Sequence, residues 1–583
     1  MPDTDELYLA VQREKKLVKI ASGRLEADLV LKNANVFAGF FGGFERGDIA
    51  IADGRIAGIG SYSGKEEIDL DGMFVTPGFI DAQVHIECSM LTPERYAELV
   101  VPCGTTTIVA DPHEIANIAG NDGIQYILEA TENLPLNVYL MMPSCVPSSD
   151  METSGAKLLA GDLQHLSMNP RVLGLAEMMN APGVLAGDPD VYDKLMMAKE
   201  RNMPIDGHAP GLYGKALAGY AAGGIESDHE CVTADEARAR LACGMHLVLR
   251  ETSAAHSLEK LLPAVNEHNA QFCFFSADDR QPADILSDGD INYVVRKAIM
   301  LGMPVATAIQ MATINAAKYF GLRDLGAIAP GWKADLVVFD NLIDWVPKLV
   351  IKDGSIVAND GKMAAGIEYA KPSGNICHTV SAAPVKKEDL AVPVPSGYAH
   401  VIGLVPHQIF TRHLRLNVKT KNGMAITDTD NDILKLAVIE RHHASGNVAA
   451  ALVKGYGLSH GAIGLTIAHD SHNMIIIGTN DDDMLAAAEE LSEIQGGVVI
   501  TDGGDVKAEL ALPVAGLMSP HSAEEVASDI RQINKIAHEM GVSYAYDPIF
   551  SLTFLSLVVM PELKLSDKGL IDSSLSVIPV NAE

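Results

Sequence analysis

Length, composition and charge exclude several classes of protein. The chain has 583 residues, 48% of them hydrophobic and 21% charged, which is typical of a large globular protein and excludes a disordered chain. The net charge of −32 aids solubility and would repel nucleic acid and anionic lipid, so we expect neither as a partner.

The cysteines and the lengths of the apolar runs indicate the cellular compartment of the protein. Seven scattered cysteines, none in a Cys-x-x-Cys pair, argue against a disulfide framework and against a structural zinc knuckle. No run of 18 or more apolar residues is present, and the N-terminus is acidic without an apolar stretch. We therefore expect a soluble cytoplasmic protein with no membrane partner.

Two segments with strand-like alternation flank a long middle. Residues 28–59 alternate apolar and polar positions around an Asp53-Gly54 turn, and residues 334–359 repeat this pattern. We predict that the two segments pair into one small β-domain, made of residues 1–75 and 326–375, with the middle inserted between them.

The middle, residues 76–325, alternates short apolar runs with amphipathic helical segments. Repeated βα units predict a parallel sheet, and about 250 residues of them favour a (β/α)₈ barrel over a doubly wound sheet. The first barrel strand is predicted over FVTPGFIDAQVHIE, residues 74–87. The tail, residues 376–583, begins a new pattern of strands and helices, which predicts a separate α+β domain. The predicted class is thus α/β.

Metal-binding residue types recur where the predicted barrel strands end, which is where barrel enzymes have their active sites. The first strand would place Asp81, Gln83, His85 and Glu87 on one face, and later strands end at Glu177, His208, His229, Asp278 and Asp279. A lone histidine or carboxylate is usually structural. Three histidines and two carboxylates together (His85, Glu177, His208, His229 and Asp278) suit one or two divalent cations such as Zn²⁺, Mn²⁺ or Fe²⁺.

Several motifs resemble a known family. They are PGFIDAQVHIECSMLTP (77–93), ADPHEIANIAG (110–120), AEMMNAPGV (176–184), DGHAPGL (206–212), GIESDHE (224–230) and DDRQP (278–282). All closely resemble the adenine deaminase family. Residues 308–338 resemble the closing segment that amidohydrolases share, and residues 467–473, 511–519 and 561–570 resemble the C-terminal region of that family. The likeness is collinear over nearly the whole chain.

The resemblance implies a fold and an activity. It implies a β-sandwich, an amidohydrolase barrel and a C-terminal domain, and hydrolysis of adenine to hypoxanthine and ammonia in purine salvage. It also implies two divalent metal sites, occupied by Mn²⁺ or Fe²⁺ with Zn²⁺ as an alternative. Adenine would be the small-molecule partner, and we expect a homo-oligomer.

The resemblance also implies roles for single residues. Glu177 would bridge the two metals, with His208 and His229 on one and His85 and Asp278 on the other. Asp278 would also take a proton from the attacking water and pass it to the leaving amine.

Three more residues are assigned to the substrate, and one of them, His113, is assigned to catalysis as well. His113 could hydrogen-bond the purine or the developing charge, or could equally serve a turn as a structural histidine. Asp279 and Arg280 are assigned to substrate binding.

Two positions depart from the family pattern. Gln83 replaces the first histidine of His-x-His, and Gln281 stands where the family reads Asp-Asp-Arg-His-Pro. An amide oxygen is a weaker ligand than imidazole for such metals, so Gln83 is either a weak ligand or a substrate contact. Two alternatives therefore stay open: an amidohydrolase of another cyclic amide or amidine, and a catalytically weakened purine-binding homologue. The five ligand-type residues favour an enzyme.

A last polar cluster lies in the tail, at His469, Asp470, His472 and Asn473. It could form another site, but we favour a structural hydrogen-bond network.

Overall fold

The computed structural model describes residues 4–253, 255–406, 408, 410–560 and 562–582. The first segment contains one helix and five strands: α1 (Thr4–Ala21), β1 (Ala27–Ala38), β2 (Gly43–Ala52), β3 (Arg55–Gly60), β4 (Gly64–Asp69) and β5 (Phe74–Pro77). The strands predicted over 28–59 are confirmed, with Asp53 and Gly54 turning at φ 48° and 77°. Helix α1 was not predicted. It buries Leu17 and Ile20 against the strands, and most of its other side chains are exposed.

The middle contains eight strands: β6 (Phe79–Val84), β7 (Thr105–Ala110), β8 (Asn137–Met142), β9 (Val172–Met178), β10 (Ile205–Gly207), β11 (Ser227–Asp228), β12 (His246–Arg250) and β13 (Cys273–Ser276). They form two parallel ladders, β6 to β10 and β11 to β13. The Glu226 N–H donates to the Ile205 carbonyl (2.8 Å), and the Asp278 N–H donates to the Gln83 carbonyl (3.1 Å). These bonds join the ladders at both edges, which confirms the predicted eight-stranded barrel.

Twelve helices accompany the barrel strands: α2 (Pro93–Val100), α3 (His113–Ala130), α4 (Ala160–Leu163), α5 (Ala181–Ala186), α6 (Pro189–Glu200), α7 (Gly214–Ala222), α8 (Ala234–Ala242), α9 (Leu258–Leu261), α10 (Pro282–Asp288), α11 (Ile291–Met300), α12 (Val305–Met311) and α13 (Ile314–Tyr319). Local chemistry fixes several of their starts. Helix α8, for example, begins with a capping box between Thr233 and Glu236.

The predicted first barrel strand is wrong in two respects. It is two strands, because β5 belongs to the flanking sheet and the chain passes into the barrel at Gly78, whose N–H donates to the Asp335 carbonyl. A Cβ at Gly78 would lie 2.0 Å from Thr106 Oγ1, so only glycine fits this crossing. The strand also ends at Val84, and the 3₁₀ turn that follows takes Glu87 off the strand face, where it accepts a hydrogen bond from the Ile115 N–H.

The second flanking segment contains β14 (Leu336–Phe339), β15 (Pro347–Lys352), β16 (Ser355–Asn359) and β17 (Lys362–Met363). Strand β14 pairs with β5, which confirms that the two flanking segments form one unit. The resulting nine-stranded sheet runs β17-β16-β15-β14-β5-β1-β2-β3, with β4 on β1. Apolar side chains from both segments share one core, among them Val36, Ile49, Val75 and Val338, as in a sandwich.

The tail contains four helices and thirteen strands: α14 (Gly374–Cys377), β18 (Tyr398–Gly403), β19 (Arg412–Asn417), β20 (Thr420–Lys421), β21 (Met424–Ala425), β22 (Ile433–Ile439), β23 (Val448–Lys454), β24 (Ala462–Leu465), β25 (Met474–Gly478), α15 (Asp481–Glu493), β26 (Gly497–Asp502), β27 (Asp505–Ala511), α16 (Ala523–Glu539), α17 (Pro548–Thr553), β28 (Leu563–Ser566), β29 (Gly569–Asp572) and β30 (Val577–Ile578). Its main sheet has eight strands in the order β19-β18-β23-β22-β25-β24-β26-β27. The fold is thus an α/β barrel with a β-sandwich from the flanking segments and an α+β C-terminal region. Within the described residues, no helix is both long and apolar enough to cross a membrane.

Candidate active site

Glu177 lies at the centre of the predicted site, near the carboxyl end of β9. Its Oε2 is 2.9 Å from His208 Nδ1 and 2.9 Å from His229 Nε2. Its Oε1 is 3.5 Å from His85 Nε2 and 3.5 Å from His113 Nδ1. Burial alone would raise the pKa of Glu177, but His229 and His208 outweigh it and hold the pKa well below its usual range. One ionised carboxylate therefore faces a pair of histidines on each side.

The strand ends bring these side chains together. His85, His208 and His229 each directly follow a barrel strand, β6, β10 and β11 respectively. The carboxyl ends of parallel strands lie at one end of a barrel, so residues far apart in sequence become neighbours there. All four residues around Glu177 are strongly buried.

His85 is oriented by the main chain. Its Nδ1–H donates to the Asp111 carbonyl at 3.0 Å, which leaves Nε2 as the acceptor that faces the site. The Gln83 amide N–H donates to this Nε2 at 2.8 Å, and Gln83 Oε1 is buried without a hydrogen-bond partner within the described residues. Amide oxygen and nitrogen exchange places when the group turns by 180°. Gln83 can thus present its oxygen beside His85 Nε2, as a ligand would.

Asp278 completes this side of the site. Its Oδ1 is 3.7 Å from His85 Nε2, and its other oxygen accepts a hydrogen bond from the Arg250 guanidinium, which also pairs with Glu230 at 2.7 Å. Burial would raise the pKa of Asp278, but Arg250 and His229 outweigh it and hold the pKa below its usual value. Asp278 is therefore a buried carboxylate.

The donor atoms fit divalent cations. Two sets of three side chains each have all their possible ligand atoms within 4.8 Å of one another. One set is Glu177, His208 and His229, and the other is His85, Asp278 and Asp279. Imidazole nitrogens with carboxylate oxygens suit Zn²⁺, Mn²⁺ and Fe²⁺.

Two of the three residues assigned to the substrate lie at this site. His113 begins α3, and its Nδ1 lies 3.0 Å from Asp111 Oδ2, next to Glu177. Asp279 lines the pocket and has one buried oxygen without a partner within the described residues.

The pocket that contains Glu177 is not lined by Arg280 or Gln281. The Arg280 guanidinium lies 4.5 Å from the Tyr293 ring centroid and donates to the Asp284 carbonyl. Arg280 is not among the residues that line this pocket, so its contact with substrate stays a prediction. Gln281 lines an adjoining pocket.

The tail contributes residues that the sequence analysis did not assign to this site. His469 Nδ1 lies 2.8 Å from Glu114 Oε1, and His472 contacts the other oxygen of Glu114, which belongs to helix α3 of the barrel. This is the structural network that we favoured. His469 and Asp470 also line the pocket, however, which the polar run HDSHN between two buried strands could have indicated.

An apolar wall faces the polar residues. It consists of Phe550, Phe554, Leu557 and Met560, which line the same pocket. The pocket encloses ≈ 600 Å³, part of which is open to solvent. No sequence signal marked this wall, because an apolar run in a large globular chain normally predicts core.

Comparisons with known proteins identify the family of the chain. Residues 74–385 match the amidohydrolase family, and residues 408–576 match the adenine deaminase C-terminal domain. Adenine deaminase 2 of Carboxydothermus hydrogenoformans is 50% identical over 97% of this chain and 99% of its own length. The chain belongs to the adenine deaminase family.

Two further members of the adenine deaminase family support this membership. The adenine deaminase of Nitratidesulfovibrio vulgaris is 46% identical over 95% of this chain and 96% of its own length. That of Kosmotoga olearia is 43% identical over 95% of this chain and 96% of its own length. Membership identifies a hydrolytic enzyme, and the amidohydrolase family suggests that it binds a divalent metal.

Proposed function

We propose that the protein hydrolyses adenine to hypoxanthine and ammonia in purine salvage, with the aid of two divalent cations. The observation that carries the proposal is Glu177, whose two oxygens face two separate pairs of histidines. The names of the relatives supply the substrate. The expected homo-oligomer stays a prediction.

The cation sites follow from the donor atoms. One cation would be held by Glu177 Oε2, His208 and His229, and the other by Glu177 Oε1, His85 and Asp278, with the Gln83 oxygen beside them. The metals proposed are Mn²⁺ or Fe²⁺, with Zn²⁺ as an alternative. When bound, such a cation lowers the pKa of a water to roughly 7 and so supplies hydroxide at neutral pH.

Asp278 is the proposed proton carrier. It is ionised and buried, and Arg250 holds it in place beside His85. It would accept a proton from the water that attacks the carbon bearing the amine, and would return that proton to the departing nitrogen. Water and adenine are consumed, and hypoxanthine and ammonia leave.

The remaining pocket residues are proposed to hold the base. A planar purine suits a cavity with an apolar wall on one side and a few convergent polar groups on the other. His113 lies beside Glu177, and its Nε2 is 3.4 Å from Glu114 Oε1. It would donate a hydrogen bond to a ring nitrogen, or to the charge that develops during attack, in place of that contact.

The decisive experiment measures ammonia and hypoxanthine released from adenine, with Mn²⁺, Fe²⁺ or Zn²⁺ added in turn. We expect turnover of adenine and little or none of adenosine, with Glu177→Gln as the inactive control. Turnover of adenosine or of a non-purine cyclic amide, with adenine untouched, would refute the proposal.

A further inference from the structure

Asp470 is a buried carboxylate for which the proposed chemistry has no use. It is 2% exposed, and its Oδ2 has no hydrogen-bond partner within the described residues. It lines the same pocket as Glu177 and His113. An unpaired polar atom in a buried position costs free energy, and a donor on a ligand in this pocket would remove that cost.

The surroundings of Asp470 define the shape of that ligand. The neighbouring His469 ring stacks on Phe554, with ring centroids 4.9 Å apart and the planes at 13°. Phe550 and Leu557 extend this apolar surface along the pocket. A flat heteroaromatic ring can therefore lie along the wall with one polar edge at the Asp470 carboxylate.

The proposed reaction fixes which edge this is. The carbon bearing the amine must approach Asp278 and His85, on the barrel side of the pocket. The five-membered ring of the purine then points away from those residues, towards the tail. In a free base this ring carries an N–H, whereas in a nucleoside the corresponding nitrogen carries ribose.

We propose that Asp470 accepts a hydrogen bond from the N–H of the five-membered ring and so selects the free base over N9-substituted purines. This inference rests on the proposed function, which it deepens. An N–H donor on the ligand would give the buried Asp470 Oδ2 the hydrogen-bond partner that it lacks within the described residues. Sites that pair with a substrate N–H reject analogues lacking it by up to about 10⁴–10⁵-fold. Asp470 is thus a specificity residue contributed by the C-terminal region.

The test uses ligands that cannot be deaminated. Purine and 9-methylpurine both lack the leaving amine and differ at N9, so their dissociation constants can be measured by calorimetry on the metal-loaded protein. We expect wild type to prefer purine by at least about tenfold, and Asp470→Ala to lower this preference to within about threefold. Asp470→Asn keeps an acceptor oxygen and should retain an intermediate preference.

A matched control comes from the same turn. The Asn473 side chain donates to the Thr153 carbonyl at 2.8 Å and does not line the pocket, so Asn473→Ala should leave the preference unchanged. If Asp470→Ala weakens both ligands equally, or if wild type does not discriminate between them, the inference is wrong. Because neither ligand is turned over, failure of the inference is distinguishable from failure of adenine deamination in the separate assay.

Discussion

At the scale of single residues, Glu177 organises the site. It is ionised and buried, and each of its oxygens faces a different pair of histidines. Removing its charge should therefore affect both cation sites together. We expect Glu177→Gln to lose about one cation or more per chain, and most of its activity with it. Elemental analysis after gel filtration measures this, with the exposed Glu200→Gln as the control. Unchanged metal content would contradict the bridging role.

Asp278 is proposed both to carry the proton and to help hold the second cation, so its replacement should affect one cation site and the chemistry. If it carries the proton, Asp278→Asn should lower kcat by about 10²–10⁴-fold, since that is the typical effect of removing a general base. The cation between Glu177, His208 and His229 should stay, because Asp278 is not one of its ligands. Steady-state kinetics with parallel metal analysis tests both points. Activity within about threefold of wild type would show that another group moves the proton.

Gln83 should determine how tightly the second cation is held. Its amide lies beside His85 Nε2, where an imidazole would bind a borderline cation more strongly. We therefore expect wild type to carry fewer than two cations per chain and to gain activity with added Mn²⁺ or Fe²⁺. Gln83→His should raise metal content and reduce that need. Equal metal content with a lower rate in Gln83→His would mean that Gln83 contacts the substrate instead.

At the scale of elements, strand ends were predictable because they depend on local patterns. The short apolar runs that predicted the barrel strands also placed Glu177, His208 and His229 correctly at the strand ends. These runs could not show where the chain passes from the sandwich into the barrel. The break at Gly78 depends on contacts with Asp335 and Thr106, which are distant along the chain.

The apolar wall is the element that the sequence did not reveal. Helix α17 and the residues after it turn Phe554 towards the pocket, where the ring stacks on His469. Burial of the base against this ring should contribute mainly to binding, so we expect Phe554→Ala to raise KM for adenine by about tenfold with little change in kcat. Phe41→Ala, at a side chain that is 83% exposed, is the control. A fall in kcat without a change in KM would contradict the role of the wall.

At the scale of the whole molecule, the C-terminal region is fixed to the barrel by polar contacts. Thr153 Oγ1 donates to Asp567 Oδ2 at 2.6 Å, and Glu114 pairs with His469 and His472. These partners are separated by several hundred residues, so no periodicity in the sequence relates them. That is why the sequence indicates a polar cluster in the tail but not its place in the active-site pocket.

The C-terminal region should also make stability depend on pH through His442. The ring Nε2–H donates to the Ser471 carbonyl at 2.7 Å, and Nδ1 is buried without a partner within the described residues. Burial, reinforced by Arg441, lowers the pKa of His442 to about 3. The unfolded chain, with an ordinary histidine pKa of about 6.5, therefore binds the proton more readily than the folded chain.

The sign of the effect follows from this difference. The contribution of His442 to the unfolding free energy is complete above about pH 6.5 and falls as the pH drops towards about 3, by up to about 1.4 kcal/mol per pH unit. Glu152 acts in the opposite direction, because burial raises its pKa to about 8. The pH dependence of the unfolding free energy of wild type alone would therefore not isolate His442.

The comparison needed is between wild type and His442→Gln, whose amide can still donate to Ser471. Urea-unfolding midpoints between pH 4.5 and 6.5 should fall more steeply with acid in wild type than in the variant. His268→Gln, at an imidazole that is 87% exposed, should match wild type. Parallel pH profiles for wild type and His442→Gln would show that the folded protein accommodates the protonated ring.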